Sequence, residues 1–230
     1  MLHERVLQFF AEYIEKELGI VYAKDNYFQL QNRLEDIARQ LDFQDIIALY
    51  DKAKGGISGP FKQLLLDVAT NNETSFFRDP RAFRVIEQTI SNPETSPFTT
   101  GDKLRIWSAA SSTGQEAVSV AIMLTEYNKR AVHPVDFSIL ATDISERVLA
   151  KAKTGVYTQL EVQRGLPAPL MIKYFTKKDQ DQWSVNPDIL RRIEYGKLNL
   201  RERFGLKSEF HLILCRNILI LSLIHISEPT

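Results

Sequence analysis

Residues 104–116 read LRIWSAASSTGQE. Residues 104–107, apolar except for Arg105, predict a strand, and the small residues after them predict a loop that enters a helix near Glu116. A strand that runs through a small-residue loop into a helix is a common way to hold a nucleotide-type cofactor at the edge of a parallel sheet. This stretch therefore predicts an α/β fold with a cofactor site near residues 111–114.

Strands and helices alternate along the rest of the chain. The predicted elements are strands over 137–141, 193–200 and 210–214, helices over 116–129, 145–152 and 166–175, and weak strand signals over 183–195. Such alternation implies right-handed crossovers and a parallel sheet. The weak strand signals predict a small antiparallel flap.

The first 70 residues carry a different pattern, in which apolar residues recur at helical spacing. The predicted helices cover 6–18, 26–41 and 61–69, with a further one that begins at Asp42 as its N-cap. A helix over 81–90 follows. A linker rich in Pro, Ser and Thr, over 91–102, then separates this helical part from the predicted sheet.

Composition argues against several classes of function. Lysine plus arginine number 29 and aspartate plus glutamate also number 29, so no basic excess favours nucleic acid. The single cysteine, Cys215, excludes an intrachain disulfide framework, and the four scattered histidines lack metal-ligand spacing. No apolar stretch of about 18 residues and no signal-peptide pattern is seen, so we expect a cytoplasmic protein without membrane insertion.

A second motif lies upstream, where residues 71–80 read NNETSFFRDP. This motif and the 104–116 stretch contain the signatures N-x-T-x-F-F-R and W-S-A-A-x-S-x-G-x-E, and together they resemble the chemotaxis receptor glutamate methyltransferases. The resemblance covers about residues 5–220. It implies a small all-helical N-terminal module, a Rossmann-like methyltransferase domain with a small β-flap, and S-adenosylmethionine as cofactor. Phe76 and Phe77 are expected to anchor the core.

Two acidic residues occupy positions that suit a cofactor. Glu116 lies in the first turn of a predicted helix, where the helix dipole favours a carboxylate, and the resemblance assigns it to the cationic amino group of the cofactor. Asp143 ends an apolar strand, where a carboxylate can accept hydrogen bonds from both ribose hydroxyls. The alternatives are that Glu116 and Asp143 only cap their helices.

The upstream motif supplies three further candidates. Asn72, Thr74 and Arg78 match the family's motif, so the resemblance implies cofactor contact for each. Arg78 carries a planar, always charged guanidinium suited to a carboxylate, either that of the cofactor's methionyl group or that of the substrate glutamate. It is the candidate catalytic residue. The alternative for Arg78 is a surface ion pair with Glu73 or Asp79.

Residues after the later strands complete the candidate site: Asn199, Leu200, Asn217 and Ile218. Amide side chains at strand C-termini face the ligand crevice, although each alone is a routine turn residue. The resemblance matches them to the family's N-L and C-R-N sequences and implies cofactor contact. Cys215 is expected to be a small buried hydrophobe and not a nucleophile.

The implied reaction is methylation of glutamate side chains on chemotaxis receptors, which gives glutamyl methyl esters. A carboxylate is already ionised at pH 7, so no general base is needed. The expected partner is the cytoplasmic helices of a methyl-accepting chemotaxis receptor, and the expected state is a monomer. The alternatives are a non-catalytic cofactor-binding signalling module or inactive fragment, and a nicotinamide-dependent enzyme, which the lack of G-x-G-x-x-G disfavours.

The end of the chain departs from the family pattern. The family continues after residue 220 with Tyr-Phe, a helix and further strands, whereas residues 221–230 read LSLIHISEPT. We therefore expect a shortened reading frame that lacks the final strands of the sheet and is poorly active. The expected organisation is a helical domain over 1–70, an incomplete methyltransferase domain over 71–220 and an atypical tail over 221–230.

Overall fold

The computed structural model describes residues 2–70, 73–92, 102–202, 205 and 209–216. Contacts group them into two units, the first of which contains 2–70, 199–202 and Arg216. The predicted tail and most of the predicted linker lie outside the described residues. Within the described ranges no helix is both long and apolar enough to cross a membrane, and no group of three or more His, Cys, Asp or Glu is placed to hold a metal ion.

The first unit is helical, as its apolar spacing predicts. Its helices are α1 (Leu2–Leu18), α2 (Tyr27–Gln40), α3 (Ile46–Lys54) and α4 (Gly59–Ala69). Their apolar faces meet in one core, in which Phe10, Ile14, Leu34, Ile37 and Leu49 are fully buried. Burial of these faces stabilises helices that would be marginal in isolation.

One helix start differs from the prediction. The N-cap of α3 is Asp45, whose carboxylate accepts hydrogen bonds from the backbone N–H groups of Ile47 and Ala48 at 2.9 and 2.8 Å. Asp42 instead lies in the turn after α2 with a φ of 58°, a left-handed conformation that aspartate tolerates. The prediction was wrong because both aspartates precede the same apolar run.

The second unit combines helices with two sheets. Its elements are α5 (Pro80–Ser91), β1 (Leu104–Ala109), α6 (Gln115–Asn128), β2 (Phe137–Asp143), α7 (Glu146–Thr154), β3 (Val156–Thr158), α8 (Gln159–Gln163), α9 (Ala168–Tyr174), β4 (Phe175–Lys177), β5 (Gln182–Val185), α10 (Pro187–Leu190), β6 (Ile193–Lys197) and β7 (Leu212–Cys215). The larger sheet is parallel throughout, in the order β6-β2-β1-β7. This confirms the predicted α/β class and the parallel sheet.

Helix α6 is buried on nearly every side. Five of its apolar residues have no exposed surface: Ala117, Val118, Val120, Ala121 and Ile122. A helix that is apolar all round packs between other elements instead of facing water. Its burial fixes the first turn of α6 beside the end of β1.

The smaller sheet, which we name the flap, is antiparallel with the order β3-β5-β4. The flap predicted over 183–195 is correct only at β5, because α10 comes next and β6 begins the larger sheet at Ile193. Pro187 lies in the first turn of α10, and the side chain of Asn186 accepts the N–H of Asp188 at 2.8 Å. This capping pattern favours a helix over a strand.

Candidate functional site

The carboxyl ends of the parallel strands lie side by side. Ala109 on β1 is opposite Thr142 on β2 and Cys215 on β7, and Asp143 on β2 is opposite Lys197 on β6. The strand predicted over 193–200 thus ends at Lys197. In open parallel sheets, ligands bind in the crevice outside these carboxyl ends.

The loop between β1 and α6 has an unusual backbone. Ala110, Ser112 and Gly114 have φ angles of 52°, 51° and 91°, although residues other than glycine, asparagine and aspartate rarely adopt positive φ. The N–H of Gly114 donates to the carbonyl of Ser111 at 3.0 Å, and the N–H of Ser111 donates to Thr142 at 2.9 Å. Backbone strain held by its surroundings in this way is often found at ligand sites.

Asp143 braces this loop from the end of β2. Its side chain is buried, with 6% of the residue exposed. One carboxylate oxygen accepts the N–H of Ser112 at 2.8 Å, and the other accepts the N–H of Ser145 at 3.0 Å. The N-cap of α7 is Ser145, whose hydroxyl accepts the N–H of Val148 at 3.3 Å, so the alternative of Asp143 as the cap itself is wrong. The two bonds fix the direction of the carboxylate at the strand end.

Glu116 occupies the first turn of α6, as predicted. Its carboxylate accepts a hydrogen bond from the hydroxyl of Ser108, a fully buried residue of β1, at 2.8 Å. Ser108 is opposite Leu214 of β7 in the sheet, so Glu116 lies near the end of β7. Desolvation, and then the negative charge of Glu116, raise the pKa of the Cys215 thiol. Cys215 is exposed and not buried as predicted, because it alternates with the buried Leu214 along β7 and so lies on the same exposed face as Ile213.

Residues 73–79 form a loop that is held in place by the flap region. Phe76 is fully buried, with its ring centroid 5.0 Å from that of Tyr157 and 5.5 Å from that of Phe175, both edge to face. The N–H of Phe77 donates to the hydroxyl of Ser119 on α6 at 3.0 Å. Phe76 is therefore a core anchor, as the sequence predicts, and Thr74 lies half-buried in the same loop.

Arg78 is exposed at the end of this loop. Its Nη1 donates to the backbone carbonyl of Glu73 at 3.0 Å, and the carboxylate of Glu73 pairs with Arg164. Asp79 caps α5 by accepting the N–H of Arg81 at 3.2 Å. The guanidinium of Arg78 is thus held by the backbone of its own loop. Its role in carboxylate binding stays a prediction.

Asn199 and Leu200 follow β6 and group with the first unit. The amide nitrogen of Asn199 donates to the carbonyl of Glu17 at 3.3 Å and to the carboxylate of Glu202 at 3.1 Å, while its oxygen accepts the N–H of Arg201 at 3.0 Å. Cofactor contact by Asn199 and Leu200 remains a prediction.

Three other predicted contacts, Asn72, Asn217 and Ile218, lie outside the described residues. Their roles in the site stay predictions.

Two tyrosines near the β1–α6 loop were not anticipated. The hydroxyl of Tyr157 donates to the carbonyl of Thr113 at 2.9 Å, and a Cβ placed on Gly114 would lie 2.9 Å from the hydroxyl of Tyr195. Both residues stand far from the loop in sequence and carry no local signal. Alternation along β6 could have suggested that Tyr195 faces the core, but β3 is too short to show such a pattern at Tyr157.

Comparison with known proteins gives a consistent result. Residues 72–222 match the family described as CheR methyltransferase, SAM binding domain. The chain is 33% identical over 215 residues to chemotaxis protein methyltransferase 1 of Pseudomonas aeruginosa, covering 93% of this chain and 78% of that protein. It is 31% identical over 213 residues to chemotaxis protein methyltransferase Cher2 of Pseudomonas putida, covering 92% and 77%.

Among solved structures, an uncharacterized protein from Burkholderia thailandensis aligns at 16% identity and a TM-score of 0.32, covering 80% of this chain and 39% of that one. A likeness this weak carries no argument.

The parallel sheet, the small-residue loop after β1 and the acidic residue that ends β2 define a Rossmann-like domain of the nucleotide-cofactor-binding class. Within that class, the chain belongs to the CheR methyltransferase family. It is a methyltransferase of chemotaxis whose cofactor is S-adenosylmethionine.

Proposed function

We propose that this protein transfers a methyl group from S-adenosylmethionine to glutamate side chains of chemotaxis receptors, giving glutamyl methyl esters. The proposal includes a cytoplasmic monomer that acts on the cytoplasmic helices of a methyl-accepting receptor. The observation that carries it is the convergence of Glu116, Asp143 and the β1–α6 loop at the carboxyl ends of one parallel sheet, in a chain of this family.

The donor and acceptor set at these strand ends suits the cofactor. A fixed carboxylate at the end of β2, that of Asp143, is the acceptor type that ribose hydroxyls require. The carboxylate of Glu116 is the complement to a cationic amino group. Since the loop between them consists of small residues, the backbone can approach a ligand closely.

Methyl transfer to a carboxylate requires no general acid or base from the protein. When bound, the cofactor supplies an activated methyl group on a sulfonium. The substrate carboxylate is already ionised at neutral pH, so the protein's tasks are to align the reacting oxygen and to remove water around it. Arg78 is proposed to orient a carboxylate, because its guanidinium can bind one in bidentate fashion.

The test is methyl transfer from radiolabelled cofactor to receptor-containing membranes, with alkali treatment to release label held as ester. Label that is transferred and alkali-labile supports the proposal. Binding of S-adenosylhomocysteine in calorimetry without any transfer would instead identify a non-catalytic cofactor-binding module.

The variant Arg78→Lys is expected to reduce methyl transfer by about 10- to 100-fold, the scale of one lost charged hydrogen bond. Lysine keeps the charge and loses the planar fork. We expect the melting temperature to change little, since the side chain is exposed. Initial rates of transfer and thermal melting are the two measurements.

The matched control for Arg78→Lys is Arg84→Lys, which changes an exposed arginine on α5 outside the motif. It is expected to leave both the rate and the melting temperature unchanged. Normal activity per folded molecule in Arg78→Lys, together with a large fall in melting temperature, would show that Arg78 only supports its own loop through the carbonyl of Glu73.

A further inference from the structure

Tyr157 of β3 links the flap to the β1–α6 loop. Only 1% of the residue is exposed, and its hydroxyl donates to the carbonyl of Thr113 at 2.9 Å. Burial raises the pKa of Tyr157 well above its usual value, so the hydroxyl keeps its proton and acts as a donor at all physiological pH values. A residue 44 positions away in sequence therefore holds one backbone carbonyl of the loop.

Aromatic packing fixes the place of this hydroxyl. The ring of Tyr157 lies edge to face against Phe76 at 5.0 Å and against Phe175 at 6.5 Å. Phe76 belongs to the 73–79 loop and Phe175 to β4 of the flap. Interlocked aromatic rings leave little rotational freedom in a close-packed core, so this packing holds the hydroxyl at one place beside the loop.

The carbonyl that receives the bond lies in the strained part of the loop. Thr113 is flanked by Ser112 with a φ of 51° and Gly114 with a φ of 91°. The N–H of Ser112 is in turn bonded to the carboxylate of Asp143. Two bonds of opposite polarity, one to the N–H of Ser112 and one to the carbonyl of Thr113, thus hold the backbone on both sides of the 112–113 peptide group, next to the positive φ of Ser112 that serine alone disfavours.

We propose that Tyr157 is a positioning residue for the cofactor: through Thr113 it keeps the β1–α6 loop in the shape that binds S-adenosylmethionine. The proposal rests on the proposed function only in assigning this loop to the cofactor. Because Tyr157 belongs to β3, this role makes the flap a determinant of cofactor affinity.

The chain offers a matched comparison in Tyr195 of β6. Its hydroxyl is also buried beside Gly114, where an added Cβ would lie 2.9 Å from it and 3.2 Å from the hydroxyl of Tyr157. Among the described residues it has no hydrogen-bond partner. Tyr157→Phe and Tyr195→Phe each remove one buried hydroxyl near the same glycine, but only the first removes a hydrogen bond.

Calorimetry of the full chain with S-adenosylhomocysteine tests the effect on affinity. We expect Tyr157→Phe to raise Kd about tenfold, the scale of one hydrogen bond whose buried acceptor is left unpaired. In methyl transfer the KM for the cofactor should rise by a similar factor, with kcat at saturating cofactor changed less than about twofold. Tyr195→Phe should leave Kd within about twofold of the wild type.

Amide hydrogen exchange without cofactor separates this proposal from the proposed function. We expect peptides that cover residues 110–115 to exchange faster in Tyr157→Phe than in Tyr195→Phe or the wild type, with exchange in β2 unchanged. Equal exchange of this loop in all three proteins would overturn the positioning role. If the loop exchanges faster in Tyr157→Phe but the wild-type protein binds no cofactor, Tyr157 still determines the shape of the loop, and the assignment of the loop to the cofactor is refuted.

A lower melting temperature of Tyr157→Phe with normal Kd and normal loop exchange would show that the bond serves overall stability only. That result also overturns the proposal.

Discussion

Replacement of Gly165 by alanine is expected to lower the free energy of unfolding by about 2–5 kcal/mol, the sum of typical costs for a left-handed alanine and for overpacking. Gly165 has a φ of 89°, and a Cβ there would lie 2.1 Å from the carbonyl oxygen of Phe76 and 3.2 Å from its carbonyl carbon. Both atoms belong to the backbone, so no side-chain rotation relieves the clash. Denaturation in urea measures the loss.

The same substitution is expected to reduce methyl transfer strongly in the fraction that stays folded. Phe76 lies between Thr74 and Arg78, and a displaced carbonyl at Phe76 moves the loop that carries both. Positional errors near 1 Å are enough to cost large factors in rate. Transfer rates are therefore to be compared per folded molecule, at a temperature well below melting.

Gly56→Ala provides the control for backbone strain alone. Gly56 has a φ of 112°, and nothing lies within 4 Å of an added Cβ. We expect this variant to lose about 1–2 kcal/mol, the cost of the backbone conformation, and to keep its activity. If Gly165→Ala cost no more than Gly56→Ala, the close approach to Phe76 would be irrelevant to stability.

The sequence predicts the parts of the fold that depend on local patterns. The strand and helix around the 104–116 stretch are correct to within two residues, because a short apolar strand, a small-residue loop with a glycine and a long apolar segment follow one another there. The flap is harder, since β3 and β4 have three residues each and are too short to show a period of two. Such strands form because partners pair with them, and pairing is not visible locally.

In the candidate site, too, some features follow from local sequence patterns and others depend on tertiary structure. The positions of Glu116 and Asp143 follow from the ends of predicted elements, so both could be anticipated. The positive φ angles of Ala110 and Ser112 could not, because serine and alanine give no sign of a left-handed backbone. The contact between Tyr157 and Thr113 depends on how the flap packs, which only tertiary structure determines.

Removal of the Asp143 carboxylate is the second change with a large expected effect. If both ribose hydroxyls bind to it, Asp143→Ala loses about 2–4 kcal/mol of binding free energy for S-adenosylhomocysteine, from typical charged hydrogen bonds. The structure adds a cost to folding, because the N–H groups of Ser112 and Ser145 lose their acceptor. A buried donor left without a partner costs about 1–3 kcal/mol, so the melting temperature should fall as well.

Ser145→Ala separates these two effects, because it weakens the start of α7 without touching the proposed ribose site. We expect Ser145→Ala to lower the free energy of unfolding by about 1 kcal/mol, the typical cost of losing one N-cap, and to leave the affinity for S-adenosylhomocysteine unchanged. Calorimetry on both variants, at a temperature where each is folded, is the measurement. A Kd for Asp143→Ala raised only about tenfold, as expected for Tyr157→Phe, would reduce Asp143 to a brace for the β1–α6 loop, and an unchanged Kd would exclude both the contact and the brace as determinants of affinity. A Kd raised by 30-fold or more, on the scale of tenfold per about 1.4 kcal/mol, would place the carboxylate in contact with the cofactor, since a loop that had only loosened would still bind with a smaller loss.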